Sequence, residues 1–440
     1  MKSRGLIVAV IVLAALTGTL YWSNHRKPAE SSVNASVETP PKILTINQAD
    51  ISGVVIRKKG GEDVTLAKND AGEWRITTPK QLRADQDAVS SMLSTLSALN
   101  SDRLIEDKAA NLDQYGLTQP SIEVDVTEKN KKTDKLLIGD DTPSGSAAYT
   151  AVAGDPRVFT LTSYKKNSLD KSSKDLRDKR LMTFESDKVT RVELLAKKQA
   201  IEFGRNKEQW QVVKPGPFRA DGFQVDELVR NLSDAKMDLT GSDDEKKAAA
   251  AFHSGVPVAT AKVTDASGTQ ELQVRKNKED YYAKSSVVEG VYKVASGVGS
   301  GLDKSLDDFR NKKLFDFGDA DPEKIEMHDG SKNYSLSRSG EDWSSNGAKM
   351  DASSVRTLAG KIRDLSANKF ADGGFTSAIL DITVTSNDGK RVEKVLIAKN
   401  GDRYIAKREN EPALYELNAA DVSDLQKSAA EIKPAAAPKK

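Results

Sequence analysis

The stretch LDKSSKDLRDKRLMTF, residues 169–184, returns without a gap as LDKSLDDFRNKKLFDF at residues 302–317. The two copies share Leu, Asp, Lys, Ser, Asp, Arg, Lys, Leu and Phe at matching positions. A recurrence at a fixed period is the signature of a chain assembled from copies of one unit. This repeat therefore predicts a chain built from copies of one structural unit.

Three tryptophans extend the period over most of the 440 residues. Trp74, Trp210 and Trp343 are separated by 136 and 133 residues. Each is preceded by two short alternating runs and begins a third, a pattern typical of an antiparallel strand meander. We predict that each tryptophan lies in the core of its unit, because a large aromatic ring gains most from burial.

An amphipathic helix is predicted after each tryptophan strand. It begins at Asp85, Asp221 and Asp351, and the aspartate is expected to accept hydrogen bonds from unpaired first-turn amides. Offsets of 4, 7, 11 and 14 from the aspartate are apolar in all three copies, which is the helical period. These positions are Val89, Met92, Leu96 and Leu99, then Val225, Leu228, Leu232 and Ala235, then Val355, Leu358, Ile362 and Leu365.

Four further strand candidates follow each helix, so the predicted fold is α+β. An N-terminal transmembrane helix precedes three tandem modules of antiparallel β-strands, and an amphipathic helix covers each module. The repeated 169–184 stretch is predicted to be a short connector helix between modules, with Leu169, Leu176 and Leu181 docked on a unit. The predicted boundaries are an anchor at 1–27, a flexible linker at 28–44, repeats at 45–184, 185–317 and 318–428, and a disordered tail at 429–440.

The N-terminal segment predicts a membrane anchor. Lys2 and Arg4 precede an uncharged run from Gly5 to Trp22, and about 18 helical residues reach roughly 27 Å, which is enough to cross a hydrocarbon core. A cleaved signal peptide is the alternative, but bulky side chains follow the small residues at which cleavage would be expected. The expected orientation places a large C-terminal part outside the inner membrane. The anchor residues are Leu6, Ile7, Val8, Val10, Ile11, Val12, Leu13, Leu16, Leu20, Tyr21 and Trp22.

Composition removes several classes of function. Lysine plus arginine (67) and aspartate plus glutamate (65) nearly cancel and are mixed along the chain, so no nucleic-acid partner is expected. The chain has no cysteine, which excludes disulfides and thiolate sites. His25, His253 and His328 stand alone, and each is predicted to be a surface or turn residue because a site needs several convergent groups. No catalytic residue, cofactor or metal site is predicted.

Two glycine-containing fragments resemble ligand loops at first sight. LLIGDDTPSG at 136–145 lacks the Gly-Lys-Ser/Thr of a phosphate loop, and it is predicted to be a turn between strands. ASGVGSGLDKS at 295–305 precedes a helix candidate, but its counterpart in the first copy contains no glycine. A shared phosphate cradle is therefore excluded.

A set of segments carries a family resemblance: YGLTQP at 115–120, LLIGDDTPSG at 136–145, DPRVFTL at 155–161 and LRDKRLMTF at 176–184, together with Tyr149. Together they resemble the bacterial family catalogued as domain of unknown function 4340. The resemblance is clearest over 45–184, weaker over 185–317 and weakest over 318–428. It implies one N-terminal membrane segment and an accessory role beside ABC-type transport components related to gliding machinery, and it brings no catalytic residues.

The function expected from these features is a membrane-tethered, non-enzymatic extracytoplasmic scaffold or accessory subunit. Membrane lipid and a membrane protein are the expected partners. The alternative is an extracytoplasmic module that binds a glycan or peptide on exposed aromatic side chains, for which the candidates are Tyr149, Tyr281, Tyr282 and Tyr404.

Overall fold

The computed structural model describes residues 41–207, 209–241 and 245–436. In those residues it contains three antiparallel sheets and nine α-helices, which confirms an α+β chain with tandem β modules. The predicted anchor at 1–27 and the linker up to residue 40 lie outside the described residues. Within the described ranges, no helix combines the length and the apolar character needed to cross a membrane.

The first sheet has nine strands in the order β4-β3-β2-β1-β6-β7-β8-β9-β5. Two meanders therefore meet at their first strands, β1 and β6, and the helix between the meanders covers one face. Its elements are β1 (Ile51–Lys58), β2 (Val64–Lys68), β3 (Trp74–Thr78), β4 (Leu82–Arg83), α1 (Gln86–Ser97), β5 (Arg103–Glu106), β6 (Ile122–Glu128), β7 (Thr133–Asp141), β8 (Ala147–Val152), β9 (Val158–Thr162), α2 (Ser163–Leu169) and α3 (Ser173–Leu176).

The second sheet repeats this plan with eight strands, β13-β12-β11-β10-β14-β15-β16-β17. A helix that the sequence did not predict, α5, packs on Tyr282 and Val291, and its alanine-rich sequence favours helix formation. The elements are β10 (Arg191–Ala196), β11 (Gln199–Asn206), β12 (Gln209–Lys214), β13 (Phe218–Arg219), α4 (Gly222–Ser233), α5 (Glu245–Ser254), β14 (Val256–Asp265), β15 (Gly268–Asn277), β16 (Asp280–Ser285), β17 (Val291–Val294), α6 (Ser296–Leu302) and α7 (Leu306–Phe309).

The third sheet has the order β21-β20-β19-β18-β23-β24-β25-β26-β22. It matches the first sheet strand for strand. Its elements are β18 (Lys324–Asp329), β19 (Lys332–Ser339), β20 (Asp342–Ser345), β21 (Ala348–Met350), α8 (Ala352–Asp364), β22 (Lys369–Ala371), β23 (Ala378–Ser386), β24 (Arg391–Asn400), β25 (Arg403–Arg408), β26 (Leu414–Leu417) and α9 (Ala419–Ala430).

The predicted core residues are buried. Trp74, Trp210 and Trp343 are at most 6% exposed, and all twelve apolar positions of the three predicted helix stripes are buried. Three more helix residues, at offset 8 from the aspartate, also face the cores: Leu93, Val229 and Ala359.

The predicted helix caps are confirmed as well. Asp85 accepts hydrogen bonds from the N–H groups of Asp87 and Ala88. Asp221 and Asp351 each accept one from the residue three positions later. Because a capping aspartate satisfies first-turn amides that have no partner within the helix, its recurrence at this place has a structural cause.

The repeated connector differs from the single helix predicted for it. In the first copy α2 ends at Leu169, and Ser172 and Asp175 then form a capping box for the one-turn helix α3. Ser305 and Asp308 do the same in the second copy. The Ser-x-x-Asp spacing explains why these residues recur, since each side chain satisfies the other's backbone amide and starts a new helix.

After its last turn the connector pairs with the strand that precedes the capped helix. Asp85 N–H donates to the Leu176 carbonyl, and Asp221 N–H donates to that of Phe309. In the third module Asp351 N–H donates to the Lys433 carbonyl. The sequence assigned 429–440 to a disordered tail, but residues 429–430 end α9 and residues 433–435 form this pairing.

The last residues of the predicted linker pack on the first module. Ile43 and Leu44 are buried, and both N–H groups donate to the Leu99 carbonyl. Their burial removes apolar side chains from water, which favours the packed position.

The chain divides into two compact units, with the division between Asp178 and Lys179. The first unit contains the first sheet, and the second unit contains the other two sheets. The sequence predicted three modules in a row without indicating that the second and third share one unit. The module boundaries drawn at 184/185 and 317/318 stay predictions.

Candidate functional site

The residues predicted to form the membrane anchor lie outside the described residues. They are Leu6, Ile7, Val8, Val10, Ile11, Val12, Leu13, Leu16, Leu20, Tyr21 and Trp22, and His25 lies there too. Their role stays a prediction.

The YGLTQP and LLIGDD segments form one structural contact in the first unit. Gly139 in β7 lies directly beneath the turn at Tyr115, where an added Cβ would be 2.1 Å from the Tyr115 carbonyl oxygen. Gly116 adopts φ 67° in that turn, and the Tyr115 hydroxyl donates to Glu106 over 2.7 Å. The glycines therefore let a loop pack on the sheet, which accounts for their place in these segments.

In the other modules an asparagine holds the segment that precedes the second meander, which is the helix α5 in the second module and a loop in the third. Asn277, at the end of β15, donates to the Ala251 carbonyl over 2.8 Å. Asn400, at the end of β24, donates to the Gly374 carbonyl over 3.0 Å. The first module has Asp141 at this position, where it pairs with Lys166 over 2.7 Å. The residue at this position therefore holds the segment before the second meander in two modules and the helix α2 in the first.

The glycine-rich stretch 295–305 contains the short helix α6. An added Cβ at Gly299 would be 2.1 Å from the ring of Tyr281, and one at Gly301 would be 2.6 Å from Asn231. These glycines allow α6 to lie close to β16 and α4. Close packing thus accounts for the composition without an anion.

The four tyrosines considered for ligand stacking are not exposed. Tyr282 is buried, and the other three are half-buried. The Tyr149 ring lies 4.8 Å from that of Tyr115, while Tyr281 and Tyr404 pack against the cores of their modules. The prediction that they are exposed is wrong, because each side chain is held against its own sheet.

His253 and His328 are exposed, as predicted. His328 Nδ1 lies 2.5 Å from the Asn333 side-chain oxygen. Within the described part of the chain, no three acidic or histidine side chains are grouped so that they could hold a metal ion.

A charged cluster lies in the second unit, where the second and third modules meet. Arg219 of β13 donates to Asp316 over 2.5 Å and lies 2.8 Å from Glu411. It also donates to the Tyr415 hydroxyl over 3.3 Å. The Arg219 and Asp316 side chains are 20% and 24% exposed, so this pair is largely removed from water.

This environment shifts two pKa values. Burial alone would lower the pKa of Arg219, but Tyr415 and Asp316 outweigh it, and the pKa is raised above its ordinary value. Burial raises the pKa of the Tyr415 phenol, although Arg219 opposes the shift. Both groups therefore keep the protonated form at neutral pH, which suits a structural contact better than proton transfer.

Further ion pairs extend the cluster within the third module. Arg408 lies 3.0 Å from Glu393 and 2.8 Å from Glu411, and Arg391 lies 3.3 Å from Glu393. The Glu393 side chain is only 5% exposed. With Arg219 and Asp316, the cluster has three guanidinium groups and three carboxylates, so its formal charge is zero.

Arg310 reinforces the same junction from the connector. Its guanidinium lies 4.3 Å from the ring centroid of Phe218 and 3.5 Å from that of Phe370. Phe218 belongs to β13 and Phe370 to β22, so one cation lies against a ring of each module. Such contacts are favourable because the ring face carries partial negative charge.

A cavity of about 630 Å³ opens beside this cluster. This volume is within the range of small-molecule and peptide sites, about 300–1,000 Å³. The side chains of Gln209, Gln211 and Asn410 are exposed and line this cavity. The lining residues are Gln209, Trp210, Gln211, Val212, Pro217, Phe218, Arg219, Ala220, Gly222, Asp226, Asn311, Asp316, Arg391, Asn410, Glu411 and Pro412.

The carboxylates that line the cavity already have partners. Asp226 accepts a hydrogen bond from the Trp210 indole over 2.7 Å. Asp316 pairs with Arg219, and Glu411 accepts from the Tyr415 hydroxyl over 2.8 Å. Sequence analysis missed this site because Arg219 and Asp316 are far apart in the chain. One difference in sequence could have indicated it: Asp316 stands where the first connector copy has Thr183.

Comparison with known proteins identifies the family of the chain but assigns no activity to it. The model of the family described as Domain of unknown function (DUF4340) matches residues 74–211 and 210–381. Each match begins at a tryptophan strand, so the family's unit is offset from the sheets of the structure. No curated protein and no solved structure matches the chain.

Proposed function

The chain belongs to the family described as Domain of unknown function (DUF4340), and from that premise we propose that it is a membrane-tethered, non-enzymatic scaffold or accessory subunit. Its folded part lies on the extracytoplasmic side of the inner membrane. It binds a membrane-protein partner, in keeping with the transport-associated role that the family resemblance implies.

The junction between the second and third modules is the observation that carries this proposal. Its charges cancel, and each of its carboxylates has a guanidinium, hydroxyl or indole partner. A reaction site needs groups that can change protonation or attack a substrate. A neutral, mutually paired cluster instead fixes two modules in one unit, which is what a presenting surface requires.

A second candidate function is peptide or glycan binding, and the cavity beside the junction favours it. Exposed amide side chains and the aromatic residues Trp210 and Phe218 border a ligand-sized space. This candidate differs from the scaffold in needing no membrane protein.

The test is reciprocal purification of the full chain from native membranes after crosslinking. The scaffold predicts that one integral membrane protein is recovered in fixed proportion, whichever of the two carries the affinity tag. Recovery of the chain without such a partner contradicts the scaffold. Turnover of a substrate that is abolished by one carboxylate substitution would contradict the non-enzymatic assignment.

Localisation needs its own experiment. Protease added to intact spheroplasts should degrade the folded part, while the same protease spares a cytoplasmic control protein. Protection of the folded part until the membrane is permeabilised would contradict the extracytoplasmic assignment.

A further inference from the structure

The second sheet carries an exposed apolar side chain on the face turned away from its core. Val192 and Leu194 of β10 belong to the core that α4 covers. Leu195 faces the other side, because successive side chains of a strand alternate, and it is 52% exposed. The helix α5 packs on Tyr282 and Val291 near the far edge of this outer face, so the part around β10 stays open to solvent.

The other two modules have a polar residue at this position. In the register of the central strands, Leu195 aligns with Arg57 of the first module and His328 of the third. Arg57 pairs with Asp125 over 2.6 Å, and His328 contacts the Asn333 side chain. Since the three modules share one plan of strands, that plan does not require a leucine here. The leucine therefore indicates a contact particular to the second module.

Leu195 borders a cavity of about 350 Å³ on the outer face. Small side chains lie beside it, since its neighbours across the sheet are Ala200 and Thr260. A second apolar side chain, Val213, is 47% exposed on the same face, where an added Cβ at Gly204 would be 3.1 Å from it. We call the surface around this cavity the β10 face. The cavity is lined by Glu193, Leu194, Leu195, Ala200, Ile201, Glu202, Lys214, Thr260, Lys262 and Glu271.

One row of charges crosses the β10 face over five neighbouring strands. Glu193 lies opposite Glu202 on one side and Lys262 on the other, and the row ends at Lys214 and Glu271. From β12 through β11, β10 and β14 to β15, the signs are plus, minus, minus, plus and minus. The reversed row reads minus, plus, minus, minus and plus, so opposite signs meet at four of the five places.

We propose that the β10 face binds the β10 face of a second copy of this chain. The two-fold axis runs along β10, so that Leu195 of each copy packs on Leu195 of the other. Lys214 of each copy then faces Glu271 of the other, and Glu202 faces Lys262. Such an interface needs a self-complementary patch, which the reversed row of charges provides. The inference goes beyond the proposed function, since it does not depend on a membrane-protein partner.

The balance of charges favours a second copy over other occupants. The face carries three cationic side chains and three carboxylates, so it attracts neither nucleic acid nor an anionic lipid surface. Arg191 lies 3.1 Å from Glu193, so each of the two Glu193 side chains that meet at the axis brings a cation with it. Sheets packed face to face keep their strands within about 30° of each other, a divergence that long charged side chains can span. The six charged residues are Arg191, Glu193, Glu202, Lys214, Lys262 and Glu271.

The first test is crosslinking in native membranes. The chain has no cysteine, so one introduced cysteine reports on one position. Leu195→Cys places a thiol beside the axis, and a bismaleimide with a reach of about 10 Å matches the separation of face-packed sheets. We expect it to link the full chain into dimers. Phe223→Cys is the matched control and should remain monomeric, because Phe223 is 66% exposed on α4, on the opposite side of the sheet.

The second test places a charge on the axis. Leu195→Arg gives the second module the residue that the first module has, and thermal unfolding should occur at the wild-type temperature because the site is at the surface. Two guanidinium groups would then face each other. We expect the dissociation constant of the dimer, measured by sedimentation of the full chain in detergent, to rise at least about tenfold. Phe223→Arg should stay within about twofold of the wild type.

A charge swap tests the direction of the axis. Lys214→Glu and Glu271→Lys should each weaken the dimer, because each creates two like-charge contacts between the copies. An equimolar mixture of the two variants should recover the dimer. In that heterodimer one contact keeps its native charges and the other has both charges reversed, so that both are attractive.

The inference is overturned if the wild-type chain is monomeric at every concentration tested, if Leu195→Arg dimerises as the wild type does, or if the mixture of charge variants recovers no dimer. Protection of Leu195→Cys from a monofunctional maleimide by phosphatidylglycerol vesicles, in a chain that gives no crosslinked dimer, would assign the face to lipid and overturn it too. Crosslinking of Leu195→Cys only to a different protein would overturn it in favour of a heterologous partner.

Discussion

The guanidinium of Arg219 lies 2.5 Å from the carboxylate of Asp316, although 97 residues separate them in the chain. Arg219 ends the first meander of the second module, and Asp316 precedes the first strand of the third. Their pairing joins the edge strand of the second sheet to the residues that precede the third sheet. It is one of the contacts that join the second and third modules, which lie in one compact unit.

We predict that Asp316→Asn lowers the free energy of unfolding of the second unit by roughly 1–3 kcal/mol. The pair is neither fully buried nor at the surface. The stability lost on removing it should therefore lie between the values typical of surface and of buried ion pairs. Chemical denaturation of the full chain measures it. Asp342→Asn is the matched control, since Asp342 and Lys349 are 2.8 Å apart but both 63% exposed. An equal effect of the two substitutions would contradict the structural role of Asp316.

Trp74→Ala and Trp343→Ala should each destabilise their module by roughly 3–5 kcal/mol, because truncation of a buried ring loses apolar burial and leaves a cavity. The two side chains are 6% and 0% exposed. Phe223→Ala removes an aromatic ring that is 66% exposed and should change stability by less than about 0.5 kcal/mol. Wild-type melting of both tryptophan variants would refute their place in the cores.

Gly139→Ala should destabilise the first unit by about 1–3 kcal/mol, since its new Cβ would force the Tyr115 turn off the sheet. Gly53→Ala in the same sheet is the comparison. Its Cβ would have the Leu66 carbonyl oxygen as nearest neighbour at 3.6 Å, an ordinary contact. We expect no loss from Gly53→Ala in denaturant melts. If the two variants melt alike, the close approach at Gly139 does not decide the loop's position.

Acid should weaken the second module through Asp265. Its carboxylate accepts hydrogen bonds from the Ser267 hydroxyl and N–H and from the Glu185 N–H, and the Ser267 hydroxyl is the main cause of its lowered pKa. Because the folded state favours the ionised form, this stabilisation is present above the unfolded-state pKa of about 3.9 and is lost as pH falls through the lower folded-state pKa.

Asp265→Asn removes that titration. The variant should melt below the wild type at neutral pH and lose less of its Tm between about pH 7 and about pH 3. Thermal melts at several pH values measure the difference. Parallel pH profiles for variant and wild type would show that Asp265 contributes nothing to acid sensitivity.

The chain order of strands and the three capped helices could be predicted because their signals are local. Asp85 caps the helix beside it, and Val89 and Met92 face the core because a helix turns once in 3.6 residues. The helices α5 and α9 and the short strands β4, β5, β13, β21 and β22 were missed. Alanine-rich runs with charges, and strands of two to four residues, carry too little periodicity to be distinguished from loops.

The sequence by itself determined that one unit of strands and a capped helix recurs three times, since hydrogen-bond capping and apolar periodicity act between near neighbours in the chain. Only the tertiary structure decided that Arg219 meets Asp316 and that Gly139 lies beneath Tyr115. These relationships join residues whose separation in the chain follows no fixed period. They depend on how the folded sheets and loops bring distant side chains within a few ångströms, and sequence spacing does not encode that distance.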